Sequence, residues 1–459
     1  MKADVVVIGM GPGGEEAAGR LAEAGLDVVG VEKQLLGGEC PYWGCVPSKA
    51  MLRAAGLLAE GRRIPGMAGS AEIRPDYAQV AKRVREVTDD WDDQVAVDRF
   101  TGKGGRLVRG EGRIVAPGQV AVGDETFEAE KAIVLATGTV PVIPPITGLG
   151  SVPYWTNRQA IEAAELPRSL VVLGGGAIGV ELAQVFARFG SEVTVVEALP
   201  RILALEEPES SEILAAALVA DGIRVVVGTS AKAVATPDGG ASIAVTLSDG
   251  SELTAQRLLV ATGRRADLSR LGLASVGVDE SQRFVAVDER MRVCDGVWAI
   301  GDLTGKGLFT HMATYQAGIA VRDILGEPTW AGDYRAVPRV TFTDPEIGSV
   351  GLTEQEARDQ GIAVRVGRAD IALETRGWIH KVGNSGLIKL IEDYPAGVLV
   401  GATSAGPAGG EVLSLLTLAV HTRTPIEQLR SMIYAYPTFH RAIQAALRDL
   451  QAAPAPPSA

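Results

Sequence analysis

Cysteine is scarce here, with three in 459 residues. That is too few for a secreted scaffold held by disulfides. No uninterrupted apolar run approaches the roughly 18 residues that suggest a membrane span. Positive charge is also short: 44 Lys and Arg against 56 Asp and Glu give a net charge of −12. With no basic block, non-specific nucleic-acid binding and attraction to anionic membrane surfaces are both disfavoured. The opening MKADVVVIGMGPGG lacks the apolar region and cleavage site of a secretory signal, so a cytoplasmic location is expected. Glycine is plentiful at 56 residues but shows no triplet period, which excludes a collagen-like chain. What remains reads as an ordinary globular protein, long enough for about three domains at roughly 150 residues each.

An internal repeat organises the chain. Residues 5–33 read VVVIGMGPGGEEAAGRLAEAGLDVVGVEK, and residues 171–198 read VVLGGGAIGVELAQVFARFGSEVTVVEA. Gly9, Gly11 and Gly14 match Gly174, Gly176 and Gly179 in spacing. Ala18, Ala22, Gly25, Val28 and Glu32 likewise match Ala183, Ala187, Gly190, Val193 and Glu197. A lone G-x-G-x-x-G is weak evidence, but a doubled one that runs from an apolar strand to an acid is specific. The first glycine permits a tight strand-to-helix turn, the second lets backbone approach a pyrophosphate, and the third lets helix pack on sheet. The helix N-terminus then faces the phosphates with unpaired N–H groups and a partial positive charge. The closing acid can accept hydrogen bonds from a ribose diol.

Each copy is followed by an apolar strand ending in Ala-Thr-Gly, at Gly138 and Gly263. A Pro-rich crossover over 141–150 separates the two units. Helical stretches are expected after Cys45 and over residues 77–100. Residues 297–325 read as a strand, a Gly-Asp turn and a helix, and from about residue 336 short alternating runs suggest α+β structure.

Cys40 and Cys45 lie in GGECPYWGCVPSKAML, a spacing that can close a small disulfide loop. Pro47 suits the start of a helix, whose dipole would favour a thiolate at its N-terminus. A zinc site is disfavoured because no second Cys pair or nearby His accompanies them. Cys294 precedes a buried strand and reads as core.

Over residues 2–450 the chain resembles the class I pyridine nucleotide–disulfide oxidoreductases, which include dihydrolipoamide dehydrogenase, glutathione and mycothione reductases and mercuric reductase. The markers are the two fingerprints, GGEC…GCVPSK, ATGR from Ala261, AIGD from Ala299, and FTDPEIGSVGLTEQEA from Phe342. The resemblance implies an α/β fold of two Rossmann-like dinucleotide-binding domains plus a C-terminal α+β dimerisation domain. The implied boundaries are 1–150 for FAD and the cysteine pair, 151–266 for NAD, and 267–335 completing the FAD site. Dimerisation follows over 336–450, and 451–459 is a tail expected to be disordered. FAD would be held by Gly9, Gly11, Gly14, Glu32, Lys33, Gly38, Thr137 and Gly138, with Asp302 on its ribityl chain. The nicotinamide cofactor would lie on Gly174, Gly176, Gly179, Glu197 and Gly263. NADH is expected over NADPH, because Glu197 suits a 2′-hydroxyl and repels a 2′-phosphate, with Arg188 and Arg201 as the residues that could oppose this. Cys40 would be the interchange thiol and Cys45 the thiol beside the flavin. Lys49 and Glu181 would flank the flavin N5, and no metal is implied.

The C-terminal motif departs from the family. Thiol-substrate members use His-Pro-Thr-x-x-Glu from the partner subunit as acid and base. Here Tyr436 holds the His slot and Arg441 the Glu slot. A phenol near pKa 10 is mostly a donor at neutral pH. His440 is the alternative base, while His311 reads as packing and His380 and His421 carry no motif. The expected activity is transfer of electrons from NADH through the Cys40–Cys45 disulfide to a disulfide-type acceptor, with a small-molecule or protein-bound disulfide/dithiol couple as the substrate partner, in a homodimer. The alternatives are direct transfer from flavin to quinones, dyes or metal ions, and a non-catalytic flavoprotein that binds a partner.

Overall fold

The computed structural model describes residues 1–237 and 239–454. The chain falls into two compact units. One comprises residues 1–48, 82–142 and 263–334; the other comprises 49–81, 143–262 and the chain from 335 onward.

The first unit is built on strands β1 (Lys2–Ile8) and β2 (Val28–Glu32), joined by helix α1 (Pro12–Glu23). Their valine-rich runs are buried on both faces, as central parallel strands require. The sheet order is Arg292–Cys294, Val297–Ala299, Glu125–Leu135, β1, β2, Arg106–Arg109. All neighbours from Val297–Ala299 onward pair in parallel. From β1 the chain first builds β2 and Arg106–Arg109 on one side, then returns to build the other side. Such a reversal opens a crevice beyond the carboxyl ends of the strands. Cys294 is half-buried against this unit's core, and burial with Asp295 nearby raises its thiol pKa, so it is a packing residue.

The helical stretch expected over residues 77–100 is two helices, Tyr77–Val87 and Gln94–Gly102. A turn at Asp89–Trp91 breaks it, and these three residues have φ of 48°, 53° and 59°. Left-handed backbone costs a non-glycine residue about 1–2 kcal/mol. Contacts elsewhere must therefore hold this turn.

The second unit contains the parallel sheet Arg224–Val227, Glu192–Glu197, Ser169–Leu173, Arg257–Val260, with the helix Ala177–Phe189 following its central strand. Residues 49–81, expected within the first nucleotide domain, group here. Tyr77 stacks on Phe186 at 5.8 Å, and Arg62 donates to the Arg188 carbonyl at 2.7 Å. The C-terminal part is a five-stranded antiparallel sheet over residues 338–406, packed against helices Gly409–His421 and Ala442–Ala452. The latter helix runs two residues into the expected tail, and residues 455–459 lie outside the described residues. Lys389, on the strand Leu387–Asp393, is fully buried. Its ammonium lies 2.7 Å from Glu207, 3.0 Å from Glu209 and 3.0 Å from Glu354. Among the described residues, no helix is long and apolar enough to cross a membrane.

Candidate active site

The first nucleotide cradle lies at the carboxyl ends of adjacent strands. Gly9 follows β1 with φ 91°, and a Cβ there would stand 2.6 Å from the Ala136 carbonyl oxygen. A Cβ at Gly14 would overlap the Gly9 carbonyl, whereas one at Gly11 would meet nothing within 4 Å. So the outer glycines are required by the fold, and the middle one faces open space. Glu32 ends β2 and is buried; one of its oxygens accepts from Met10 N at 2.8 Å and the other from Gln34 N at 2.7 Å. A carboxylate pinned in this way keeps lone pairs for a ribose diol. Thr137, Gly138 and Asp302 follow the two neighbouring strands, and Gly38 has φ 68° with Gly11 close behind it. Lys33 is exposed and pairs with Glu111 at 3.3 Å. Asp302 accepts from Thr139 Oγ1 at 2.9 Å; burial pushes its carboxyl up, against the downward pull of that hydrogen bond and of Arg264. The phosphate-facing helix start, the pinned acid and the buried polar chain fit FAD.

In the same unit, Cys40 is half-buried in the one-turn helix α2 (Glu39–Tyr42). Cys45 is exposed and starts helix α3 (Cys45–Arg63). Its sulfur lies 3.4 Å from Thr310 Oγ1, at the first residue of the helix Thr310–Ile324. Arg264 donates to Thr139 Oγ1 at 2.9 Å and to its carbonyl at 2.7 Å, and stands 3.7 Å from Glu39. Thr310 and Thr139 carried no signal in the sequence beyond lying near the Gly-Asp and Ala-Thr-Gly motifs, whereas Arg264 is the last residue of the ATGR marker. His311 stacks on Phe309 at 5.1 Å.

The second cradle repeats the first in the other unit. Gly174 has φ 110°, and a Cβ there would collide with the Ala261 carbonyl. One at Gly179 would overlap the Gly174 carbonyl, and one at Gly176 would meet nothing. Gly263, the last residue of the Ala-Thr-Gly run, has φ 114° and groups with the first unit. Glu197 accepts from Gly175 N at 2.6 Å and from Leu199 N at 2.8 Å, the same two-point hold as Glu32. These residues fit the adenosine half of a nicotinamide dinucleotide. Neither arginine raised as a phosphate ligand is at liberty. Arg188 pairs with Asp221 and Asp344, while Arg201 donates to the Leu203 and Ala204 carbonyls and to Ser211. Lys49 donates to Glu181 at 2.8 Å, Glu181 accepts from Phe342 N at 2.8 Å, and the Lys49 ammonium lies 4.7 Å from the Phe342 ring centre.

At the C-terminus, Tyr436 is 64% exposed in the single chain, with the Arg441 guanidinium 4.9 Å from its ring centre. His440 lies in the following turn, Phe439–Arg441. Among the described residues no cluster of three or more His, Cys, Asp or Glu could hold a metal.

Residues 3–318 match the family described as pyridine nucleotide-disulphide oxidoreductase, and residues 337–447 match its dimerisation domain. The chain belongs to this family. A dihydrolipoyl dehydrogenase of Halobacterium salinarum is 36% identical over 458 residues, spanning 96% of this chain and 94% of that one. Another, from Thermus scotoductus, is 34% identical over 465 residues, with 97% of each covered. Among solved structures, a Cu(II) complex of the HOCl-induced flavoprotein disulfide reductase RclA from Escherichia coli superposes with a TM-score of 0.86 at 26% identity, covering 98% of this chain and 99% of that one. LpdA from Mycobacterium tuberculosis gives 0.85 at 27% identity, with the same coverages. This oxidoreductase is therefore an FAD- and NAD(H)-dependent enzyme of disulfide chemistry, and its dimerisation domain supports a homodimer.

Proposed function

We propose that the enzyme takes hydride from NADH and delivers two electrons through Cys40 and Cys45 to a small-molecule or protein-bound disulfide. The observation that carries this reading is the placement of Cys45. It is exposed at the start of α3, with its sulfur 3.4 Å from the Thr310 hydroxyl at the start of a second helix. Two helix N-termini favour negative charge at one sulfur, which lowers the cost of a thiolate. Bound FAD supplies the two-electron relay between nicotinamide and sulfur. Cys40 attacks one sulfur of the substrate and releases the first thiol. Cys45 then attacks Cys40, releases the second thiol and restores the internal disulfide. Each turn thus converts one disulfide to two thiols, with two electrons from NADH and two protons. Lys49, held by Glu181 one helical turn beyond Cys45, adds a fixed positive charge. Tyr436 donates a hydrogen bond to the substrate bound at the partner's cysteine pair. A cycling thiol pair suits the reducing cytoplasm.

Direct reduction of quinones, dyes or metal ions by flavin is the second reading. It is favoured by Tyr436 and Arg441, which stand where an imidazole–carboxylate dyad would serve a thiol leaving group. Cys45→Ser separates the two. On the first reading disulfide turnover is abolished while NADH–quinone turnover persists. Disulfide turnover that survives the substitution would refute it.

A further inference from the structure

We propose that Trp91 is a positioning residue for disulfide exchange, one arm of a clamp that sets the dithiol–disulfide equilibrium of Cys40 and Cys45. The inference rests on the reading of that pair as the redox centre. A one-turn helix such as α2 cannot satisfy its own terminal carbonyls. The Trp91 indole N–H donates to the Tyr42 carbonyl at 3.2 Å, inside the loop between the two cysteines. On the other side of Cys40, Asp93 accepts from Leu36 N at 2.6 Å. Arg109 fixes that carboxylate with bonds of 2.8 and 2.7 Å. A single short segment therefore grips the chain before and after Cys40. It does so in a conformation that is unfavourable locally, since Asp89, Asp90 and Trp91 all have positive φ and none is glycine. Strain of this kind persists only where surrounding contacts over-determine it, and it gathers at functional sites. The left-handed turn carries the indole to the Tyr42 carbonyl.

The consequence is thermodynamic. Closing a disulfide demands a narrow range of Cβ separations. A loop already restrained loses less freedom on closure, so the clamp favours the disulfide over the dithiol. Releasing it makes the pair easier to reduce.

The test is a thiol–disulfide titration of the FAD-loaded homodimer in mixtures of reduced and oxidised dithiothreitol. In it the reagent's two thiols pass two electrons and two protons to the protein disulfide and close into their own cyclic disulfide. Thiols are trapped by acid and alkylation and counted on the peptide that holds both cysteines. Trp91→Phe keeps an aromatic ring and removes the donor. Its midpoint should move about tenfold toward the dithiol, equivalent to about 30 mV for a two-electron couple. Asp90→Gly relieves the backbone without touching the clamp, so it should raise thermal stability and leave the midpoint in place. If Trp91→Phe fails to fold or to retain FAD, Asp93→Asn, which weakens the other arm, carries the same titration and the same expected direction. A midpoint within twofold of wild type, with FAD retained, overturns the clamp. A wild-type pair that takes up no electrons at all overturns the redox reading itself, and the clamp with it.

Discussion

The way Glu197 is held predicts discrimination between NADH and NADPH. Its two oxygens accept from Gly175 N at 2.6 Å and Leu199 N at 2.8 Å, so the carboxylate cannot swing aside for a 2′-phosphate. A phosphate ester carries a charge of about −1.5 to −2 at neutral pH. At about 4 Å, each like-charge pair costs about 1 kcal/mol in water and about 4 near a protein surface. Glu197 is half-exposed, which places it toward the lower figure. A total penalty of about 2–3 kcal/mol corresponds to about thirty- to hundredfold in kcat/KM. The nearby arginines do not offset it, because Arg188 and Arg201 are committed to Asp221, Asp344, Ser211 and backbone carbonyls. Steady-state kinetics with both cofactors measures the ratio directly. Glu197→Gln should narrow it to a few-fold, mainly by improving NADPH, and added salt should narrow it in the wild type through screening. Equal kcat/KM values in the wild type, or a ratio untouched by Glu197→Gln, would refute the reasoning.

Lys389→Met leaves three carboxylates without their buried cation, and urea unfolding should show a loss of about 3–5 kcal/mol. Burial pushes the Glu209 and Glu354 carboxyls up, but their hydrogen bonds and the cation outweigh it and hold both below the ordinary 4.5. Their contribution is therefore complete above that value and lost as pH falls through the depressed pKa values. Burial pushes Lys389 down, yet its bonds to Glu207, Glu354 and Glu209 raise it above 10.5, so its contribution fails only in stronger alkali. Melting temperature against pH in wild type and Lys389→Met should diverge most between these limits and converge in acid. Tyr436→His combined with Arg441→Glu should raise dihydrolipoamide turnover, by up to about 10²–10⁴-fold if proton transfer limits the wild type. Unchanged turnover would direct attention to His440.

The two cradles were legible because their steric demands are severe and local. Gly9 and Gly174 each face a carbonyl at the end of the next strand, and no side chain fits there. Glu32 and Glu197 are read from their distance along the same strand–helix–strand unit. Thr310 was not legible, since it meets Cys45 across more than two hundred residues of chain, and Arg264 was marked by the ATGR segment while its partner Thr139, more than a hundred residues away, was not. Lys389 resembles an exposed residue of an alternating strand, yet its strand is buried on both faces, with acids from residues 207–209 covering one of them. The turn at Asp89–Trp91 escaped detection for a different reason. It has no glycine or proline to mark it, and its flanks both have helical patterns, so local propensity argued for a continuous helix.

Gly11 and Gly176 behave unlike their neighbours in the fingerprints. Their φ values, −68° and −76°, suit any residue, and a methyl group at either would touch nothing. The polypeptide itself has no use for glycine at these two places; a dinucleotide pyrophosphate brought close to the backbone would. Folding and occupancy are therefore written in separate letters of one short phrase, and the two phrases are independent. Alanine at Gly11 would leave a sound protein deaf to flavin, and alanine at Gly176 one deaf to nicotinamide.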